Sequence, residues 1–185
     1  MRKILPALAV ALLVTSPILA DSPAVQPQRI VGFTFSGKED LSGFYMPKRE
    51  VRVGRYKLIM IGLGLPEDFA DFQKGERWEG KWAPILLTFA PIGSKPKPGA
   101  EGGVQWQGSF RVLPETYRVT DTSIAFGGSE KRLGYVNFAG AIDLAALKSA
   151  KANGAGGTDK VVLTGDLSAT GKSQPALAFT WFGGD

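Results

Sequence analysis

The sequence predicts a mainly β protein, either an antiparallel β-sandwich or a small β-barrel, with two short helices. Apolar and polar residues alternate along most of the chain, which is the period of a half-buried strand. Glycine supplies 24 of the 185 residues, well above the usual share of ~7%, and indicates many tight turns. Residues 58–65 and, apart from Thr88, residues 85–92 are apolar on both faces, as in strands that are covered on both sides.

The first twenty residues have the pattern of a secretory signal. Arg2 and Lys3 precede an apolar run over 4–14, and cleavage is predicted after Ala20. The run is shorter than the ~20 residues that a membrane-spanning helix needs. We therefore expect a signal peptide over 1–20, an extended leader over 21–28, a single β domain over 29–185, and a periplasmic or secreted protein.

The absence of cysteine and histidine excludes several kinds of chemistry. No Ser-His-Asp triad, cysteine nucleophile, thiolate or imidazole zinc site, or histidine-ligated haem can form. No catalytic residue, metal site or cofactor is therefore predicted. Removal of Arg2 and Lys3 leaves 20 basic against 17 acidic residues, and a net charge that small does not indicate nucleic-acid binding. Without disulfides, apolar burial alone must hold the core.

The first strands are predicted over 29–36 and 51–65. In 51–65 the apolar positions change parity at Gly54, so a single regular strand cannot bury all of them on one side. A β-bulge at Gly54 would restore one apolar face. It would also place three cations together on the opposite face: Arg52, Arg55 and Lys57.

Two helices are predicted between the strands. Pro66 suits a first helical position and Gly75 a C-terminal cap, so the first helix is predicted between these two residues. Its Phe69 and Phe72 are predicted to close one end of the core. Asp143 is the predicted N-cap of the second helix. Residues 93–103 are predicted to form a loop. The remaining strands are predicted over 104–112, 117–126, 133–142, 160–170 and 175–182.

The basic cluster has two interpretations. Arg52, Arg55 and Lys57, with Lys48 and Arg49 beside them, could bind an anion such as an acidic polysaccharide or a phospholipid headgroup at a membrane surface. Lysine and arginine also protect exposed strand faces from aggregation, and that role needs no ligand.

The aromatic residues also leave two interpretations open. Trp78 and Trp82 flank Gly80 and would point the same way in a strand, forming an apolar platform for a small ligand. Tyr56 is the third candidate ligand-binding residue. Aromatic side chains are equally common in the cores of small barrels. Trp106 and Trp181 lie in alternating stretches and are predicted to be core residues.

Residues 163–179, LTGDLSATGKSQPALAF, contain Gly165-Asp166-Leu167-Ser168 followed by Gly171, Ser173 and Pro175. This segment resembles the closing hairpin of the YceI-like periplasmic family. The resemblance implies a lipocalin-like barrel that holds an isoprenoid or another long apolar ligand. The Arg-Asp-x-His-Leu segment of that family is absent here, so no ligand-binding residue is carried over.

Three functional classes follow from these observations. The first is an exported, non-catalytic β protein that binds an apolar or amphipathic ligand or a cell-envelope partner. The second is an eight-stranded outer-membrane barrel, which the strand count and length permit. The third is a hydrolase of envelope glycan with a carboxylate pair, although no spacing among the acids selects a pair. Oligomeric state is not predicted.

Overall fold

The computed structural model of this chain describes residues 32–76, 82–99 and 104–184. These residues form thirteen strands and two helices, which confirms the predicted mainly β class. The strands are β1 Phe33–Phe35, β2 Gly43–Pro47, β3 Val51–Val53, β4 Tyr56–Leu63, β5 Ile85–Pro91, β6 Pro96–Pro98, β7 Val104–Trp106, β8 Phe110–Val112, β9 Thr116–Val119, β10 Ser123–Glu130, β11 Gly134–Ile142, β12 Leu163–Ala169 and β13 Lys172–Phe182. The helices are α1 Pro66–Lys74 and α2 Leu144–Ala152.

Eleven of these strands form one curled sheet in the order β1-β9-β10-β11-β12-β13-β2-β4-β5-β8, with β3 paired to β4. β6 and β7 form a separate two-stranded sheet. β8 pairs with β5 and β9 pairs with β10, and only residues 113–115 separate β8 from β9 along the chain. The chain itself therefore links the two sides of the sheet, which has the form of a partly closed barrel.

The barrel has two different ends. α1 follows β4 and α2 follows β11, so both helices lie at one end, which we call the helix end (residues 36–43, 64–76, 119–123 and 142–155). The opposite end consists of the connections β3–β4, β5–β8, β10–β11 and β12–β13. We call it the hairpin end, and it comprises the described residues of 50–57, 91–110, 130–134 and 169–174.

Large side chains fill the interior of the barrel. Tyr45, Phe89 and Phe126 are fully buried on three different strands, and Phe138 meets Phe179 edge to face at 5.6 Å. From the helix end, α1 inserts two phenylalanines, as its sequence predicts, and both are buried: Phe69 and Phe72. Burial of each such side chain contributes roughly 1.5–3 kcal/mol. The core is therefore assembled by apolar packing across strands that are far apart in sequence.

The parity change at Gly54 reflects a hairpin, so the predicted bulge at this residue is wrong. Gly54 has a φ of +57° and begins a two-residue turn in which Val53 pairs with Tyr56. Glycine adopts this conformation without the clash that a Cβ introduces, and a glycine in the first turn position suits a tight hairpin. The antiparallel return then aligns the apolar residues of β3 and β4 on one face.

Two longer predicted strands are also divided. The strand predicted over 104–112 breaks at Gly108, whose φ is +69°, so that β7 and β8 belong to different sheets. The strand predicted over 117–126 breaks at a turn in which the Thr120 hydroxyl accepts a hydrogen bond from the Ser123 N–H at 3.0 Å. Glycines 127 and 128, which follow the end of that predicted strand, lie within β10.

The two predicted helices form where the sequence places them. Gly75 ends α1 in the left-handed conformation, with φ +98°. The carboxylate of Asp143 accepts a hydrogen bond from the Ala146 N–H at 2.9 Å and caps α2. β5 is buried on both faces, as its sequence predicts, since it is apolar apart from Thr88. No helix in the described part of the chain is long and apolar enough to cross a bilayer.

Candidate binding site at the hairpin end

The first hairpin positions the three predicted anion-binding residues. Arg52 and Lys57 are cross-strand neighbours, and Arg55 occupies the turn between their strands. Glu50 forms an ion pair with Arg52 and lies 3.9 Å from the Lys57 ammonium. The three cations therefore lie together, but one carboxylate compensates part of the charge of two of them.

Lys57 also contacts the small two-stranded sheet. Its ammonium lies 4.5 Å from the centre of the Trp106 ring, and only 16% of its side chain is exposed. A cation over an indole face is attracted to the ring's electrons. Trp106 is half-buried on the outside of the barrel, so its predicted place in the core is wrong. Trp181 is buried, as predicted.

Tyr56 lies in a stack of rings at the mouth of the barrel. Its ring meets Phe110 edge to face at 5.0 Å, and the guanidinium of Arg132 lies 4.2 Å above the Phe110 ring. Tyr56 is half-buried and packs against the core. The stack joins the first hairpin to the β10–β11 turn, which is about 75 residues away in sequence.

Further contacts join the other connections to this end. The Ile92 N–H donates to the carbonyl oxygen of Arg55 at 3.0 Å. The amide of Gln174 donates to the carbonyl oxygen of Arg52 at 2.7 Å. Hydrogen bonds and ring contacts therefore hold all four connections side by side, and their charged residues share one surface.

This surface is strongly cationic. Among its described residues, eight basic side chains stand against two acidic ones, Glu50 and Glu130. The basic residues are Arg52, Arg55, Lys57, Lys95, Lys97, Lys131, Arg132 and Lys172. Arg132 lies 3.8 Å from Glu130, and Glu50 lies next to Arg52 and Lys57. Within the described chain, the other five cations have no carboxylate within 4 Å.

The helix end has the opposite charge. Its described residues include eight acidic side chains and four lysines. Three of the lysines are engaged in ion pairs, in which Lys74 meets Asp71 at 3.0 Å and Lys148 meets Glu39 at 2.7 Å. Lys151 forms the third. The barrel therefore has a cationic and an acidic pole, although the net charge of the whole chain is small.

Two exposed apolar side chains lie among the cations of the hairpin end. Val104 is 67% exposed and Ile92 is 38% exposed. A single exposed apolar residue is ordinary on a protein surface. Two of them on the connection that also carries Lys95 and Lys97 give this end both apolar and cationic character.

The predicted tryptophan platform is not assembled within the described residues. Trp78 lies outside them. Trp82 is half-buried and packs against the core, which agrees with the core interpretation of this residue. The part of this end that sequence reasoning predicted is therefore the basic hairpin and Tyr56.

Several acids that a hydrolase could use have structural hydrogen bonds. Asp121 accepts from the N–H groups of Lys38 and Glu39 at 2.6 and 2.8 Å. Asp166 accepts from the Ala176 N–H at 2.8 Å, where β13 is irregular. Asp143 caps α2. Within the described chain no group of three acidic residues is placed to hold a metal ion.

Five cations of the hairpin end were missed by sequence reasoning: Lys95, Lys97, Lys131, Arg132 and Lys172. Each lies beside a glycine or proline turn, so a count of basic residues at predicted turns would have found them. Their convergence depends on strand order, which the sequence patterns did not provide.

The fold and this surface define a small curled β protein with one cationic and one acidic end. No family model, curated protein or solved structure matches the chain. The resemblance of residues 163–179 to the YceI-like family stays a prediction. The strands of its hairpin, β12 and β13, are joined at Thr170 and Gly171, both with positive φ.

Proposed function

We propose that this chain is an exported, non-catalytic β protein that binds an anionic, amphipathic component of the cell envelope at its hairpin end. The observation that carries the proposal is the convergence of eight cations and two exposed apolar side chains, Ile92 and Val104, on one end of the barrel. An anionic headgroup next to an apolar moiety is the ligand chemistry that complements this arrangement.

The filled interior supports a function at the surface. Tyr45, Phe126 and Phe138 occupy the space inside the curled sheet. A long apolar ligand held inside the barrel would need that space, and displacing such side chains costs several kcal/mol each. A ligand that contacts the barrel from outside avoids this cost.

The pattern of charge supports an anionic ligand. Exposed charges interact strongly only within about 8 Å at physiological ionic strength, so charges held side by side act together while those at the other pole are screened. Arg55, Lys97 and Lys131 lie on three connections of the same end and have no carboxylate neighbour within the described chain. An incoming anion would therefore not have to displace an existing ion pair at these residues.

Export is part of the proposal and rests on residues 1–20, where Arg2 and Lys3 precede an apolar run and a small residue at the predicted cleavage point. Cell fractionation combined with N-terminal sequencing of the purified protein tests it. We expect a periplasmic or secreted protein that begins at Asp21. Recovery of the uncleaved chain from the cytoplasm would contradict export.

Binding is tested by titrating the purified protein with monomeric short-chain phosphatidylglycerol and, in parallel, short-chain phosphatidylcholine. We expect saturable binding of the anionic lipid, with chemical-shift changes at Arg55, Ile92 and neighbouring residues. The binding should weaken steeply as salt is added, because the contacts are mainly electrostatic. Equal affinity for the two lipids, or changes confined to the helix end, would refute the assignment of the site.

A further inference from the structure

We infer that the hairpin end docks on the surface of a bilayer containing anionic phospholipid, with Val104 and Ile92 entering the headgroup region. The inference rests on the proposed function and names its partner. It requires that the cations be spread over a surface, that apolar groups accompany them, and that the rest of the molecule be kept away from the membrane.

The cations are distributed over the whole end of the barrel. They lie on four separate connections, which are joined by the contact of Arg132 with Phe110 and by the hydrogen bonds from Ile92 to Arg55 and from Gln174 to Arg52. A pocket for one headgroup would gather its cations around one point. Cations spread over four connections suit an extended array of phosphates, such as a bilayer presents.

The apolar side chains are suited to an interface. Val104 and Trp106 are two residues apart in β7 and therefore point to the same side of that strand. Trp106 is held under the Lys57 ammonium. An indole beside a cation, with an exposed aliphatic side chain next to it, is typical of residues that rest at the boundary between headgroups and acyl chains. A soluble polyanion offers no apolar phase for Val104 and Ile92.

The opposite charge of the helix end would orient the molecule. Acidic residues of α1 and of the segment before β2, such as Glu67 and Glu39, lie at the far end from Arg55 and Lys97. An anionic bilayer repels the former and attracts the latter. The protein would therefore stand with its hairpin end toward the membrane and both helices away from it.

The experiment measures co-sedimentation of the full protein with vesicles of phosphatidylcholine alone and of phosphatidylcholine mixed with phosphatidylglycerol. We expect binding only to the mixed vesicles. The triple variant Arg55→Gln, Lys97→Gln, Lys131→Gln should bind about 100-fold more weakly, because each cation near such a surface contributes about a fivefold effect. The matched variant Lys38→Gln, Lys74→Gln, Lys148→Gln removes the same charge from the helix end. It should retain wild-type affinity within about twofold.

A second variant tests apolar insertion. Val104→Thr keeps the shape of the side chain and its preference for a strand but adds a hydroxyl. It should weaken binding to the mixed vesicles several-fold and leave binding of a soluble polyanion, heparin, unchanged. Vesicles should shift the tryptophan emission of the wild-type protein to shorter wavelength, and Trp106→Phe should lose most of that shift.

The outcomes separate this inference from the proposed function. Binding of monomeric phosphatidylglycerol without binding of vesicles would overturn bilayer docking and leave the proposed function standing. Binding of heparin as tight as that of vesicles, with no effect of Val104→Thr, would assign the surface to a polyanion and also overturn docking. Failure to bind any of the three probes would refute both proposals.

Discussion

Arg52 and Lys57 lie opposite one another on the outer face of the β3–β4 hairpin, and Glu50 contacts both of them. The carboxylate keeps two like charges together on neighbouring strands, where they would otherwise repel each other. It also lowers the cationic charge available to a ligand. Glu50 is therefore a competitor for any anion that binds at this hairpin.

Replacement of Glu50 by glutamine should strengthen binding of anionic ligands. Glu50→Gln removes a negative charge from the binding surface, and we expect affinity for mixed phosphatidylglycerol vesicles to increase about fivefold at low salt. Stability should change by less than about 1 kcal/mol because the carboxylate is exposed. Co-sedimentation and urea unfolding measure the two quantities.

The matched control is Glu39→Gln, which removes the same charge from the Lys148 ion pair at the helix end. Its affinity for vesicles should stay near that of the wild type. An equal gain in both variants would indicate that net charge alone determines binding and that the hairpin end has no special role.

Gly128 allows the two sides of the sheet to approach each other. A Cβ at this position of β10 would collide with the carbonyl oxygen of Leu113, in the segment that joins β8 to β9. Because the obstacle is backbone, it cannot move aside cheaply, and Gly128→Ala should destabilise the protein by about 3 kcal/mol. Gly156→Ala, at a glycine with open space around it, should change stability by less than about 1 kcal/mol. Urea unfolding compares the two variants, and equal stabilities would contradict this account of closure.

The sequence could predict those parts of the fold that depend on local rules. Pro66 and Gly75 define α1 and Asp143 begins α2, because caps act within one turn of a helix. The alternation of β1 and the double-sided burial of β5 follow from the period of a strand. These features need no information about distant residues.

Long-range placement could not be predicted in the same way. A change of parity at Gly54 is compatible with a bulge or with a hairpin, and only pairing with the rest of the sheet distinguishes them. Glycines 127 and 128 resemble a turn, yet they lie in a strand, at positions where neighbouring elements leave no room for a side chain. Of the hairpin end, the sequence predicted only the cations from Arg52 to Lys57, which lie on one hairpin. The remaining cations lie on other connections, which the fold brings next to that hairpin.

Because of the Asp40–Lys151 ion pair, the stability of the protein should depend on pH in the acidic range. Burial by itself raises the pKa of Asp40, but the hydrogen bonds from Lys151 and Ser42 and the charge of Lys151 outweigh it, so the pKa lies below the usual value of 3.8. A carboxyl group whose pKa is lower in the folded than in the unfolded protein stabilises the fold above about pH 4. This contribution is lost as the pH falls through the pKa of the folded protein. Asp40→Asn should therefore melt at a lower temperature than the wild type near pH 7. The two proteins should converge once the pH is below the folded pKa of Asp40, and a difference that is independent of pH would contradict the role of this charge.

The hydroxyl of Thr88 lies in the middle of β5, where the residue is only 6% exposed, and it has no hydrogen-bond partner among the described residues. A buried hydroxyl without a partner loses its hydration without compensation. Thr88→Val keeps the branched shape and should stabilise the protein by about 1 kcal/mol. Thr120→Val is the matched change at a satisfied hydroxyl, which contacts the Ser123 hydroxyl at 2.7 Å, and it should destabilise by a similar amount. Thermal unfolding of both variants measures the contrast, and a loss of stability in Thr88→Val would show that this hydroxyl has a stabilising partner.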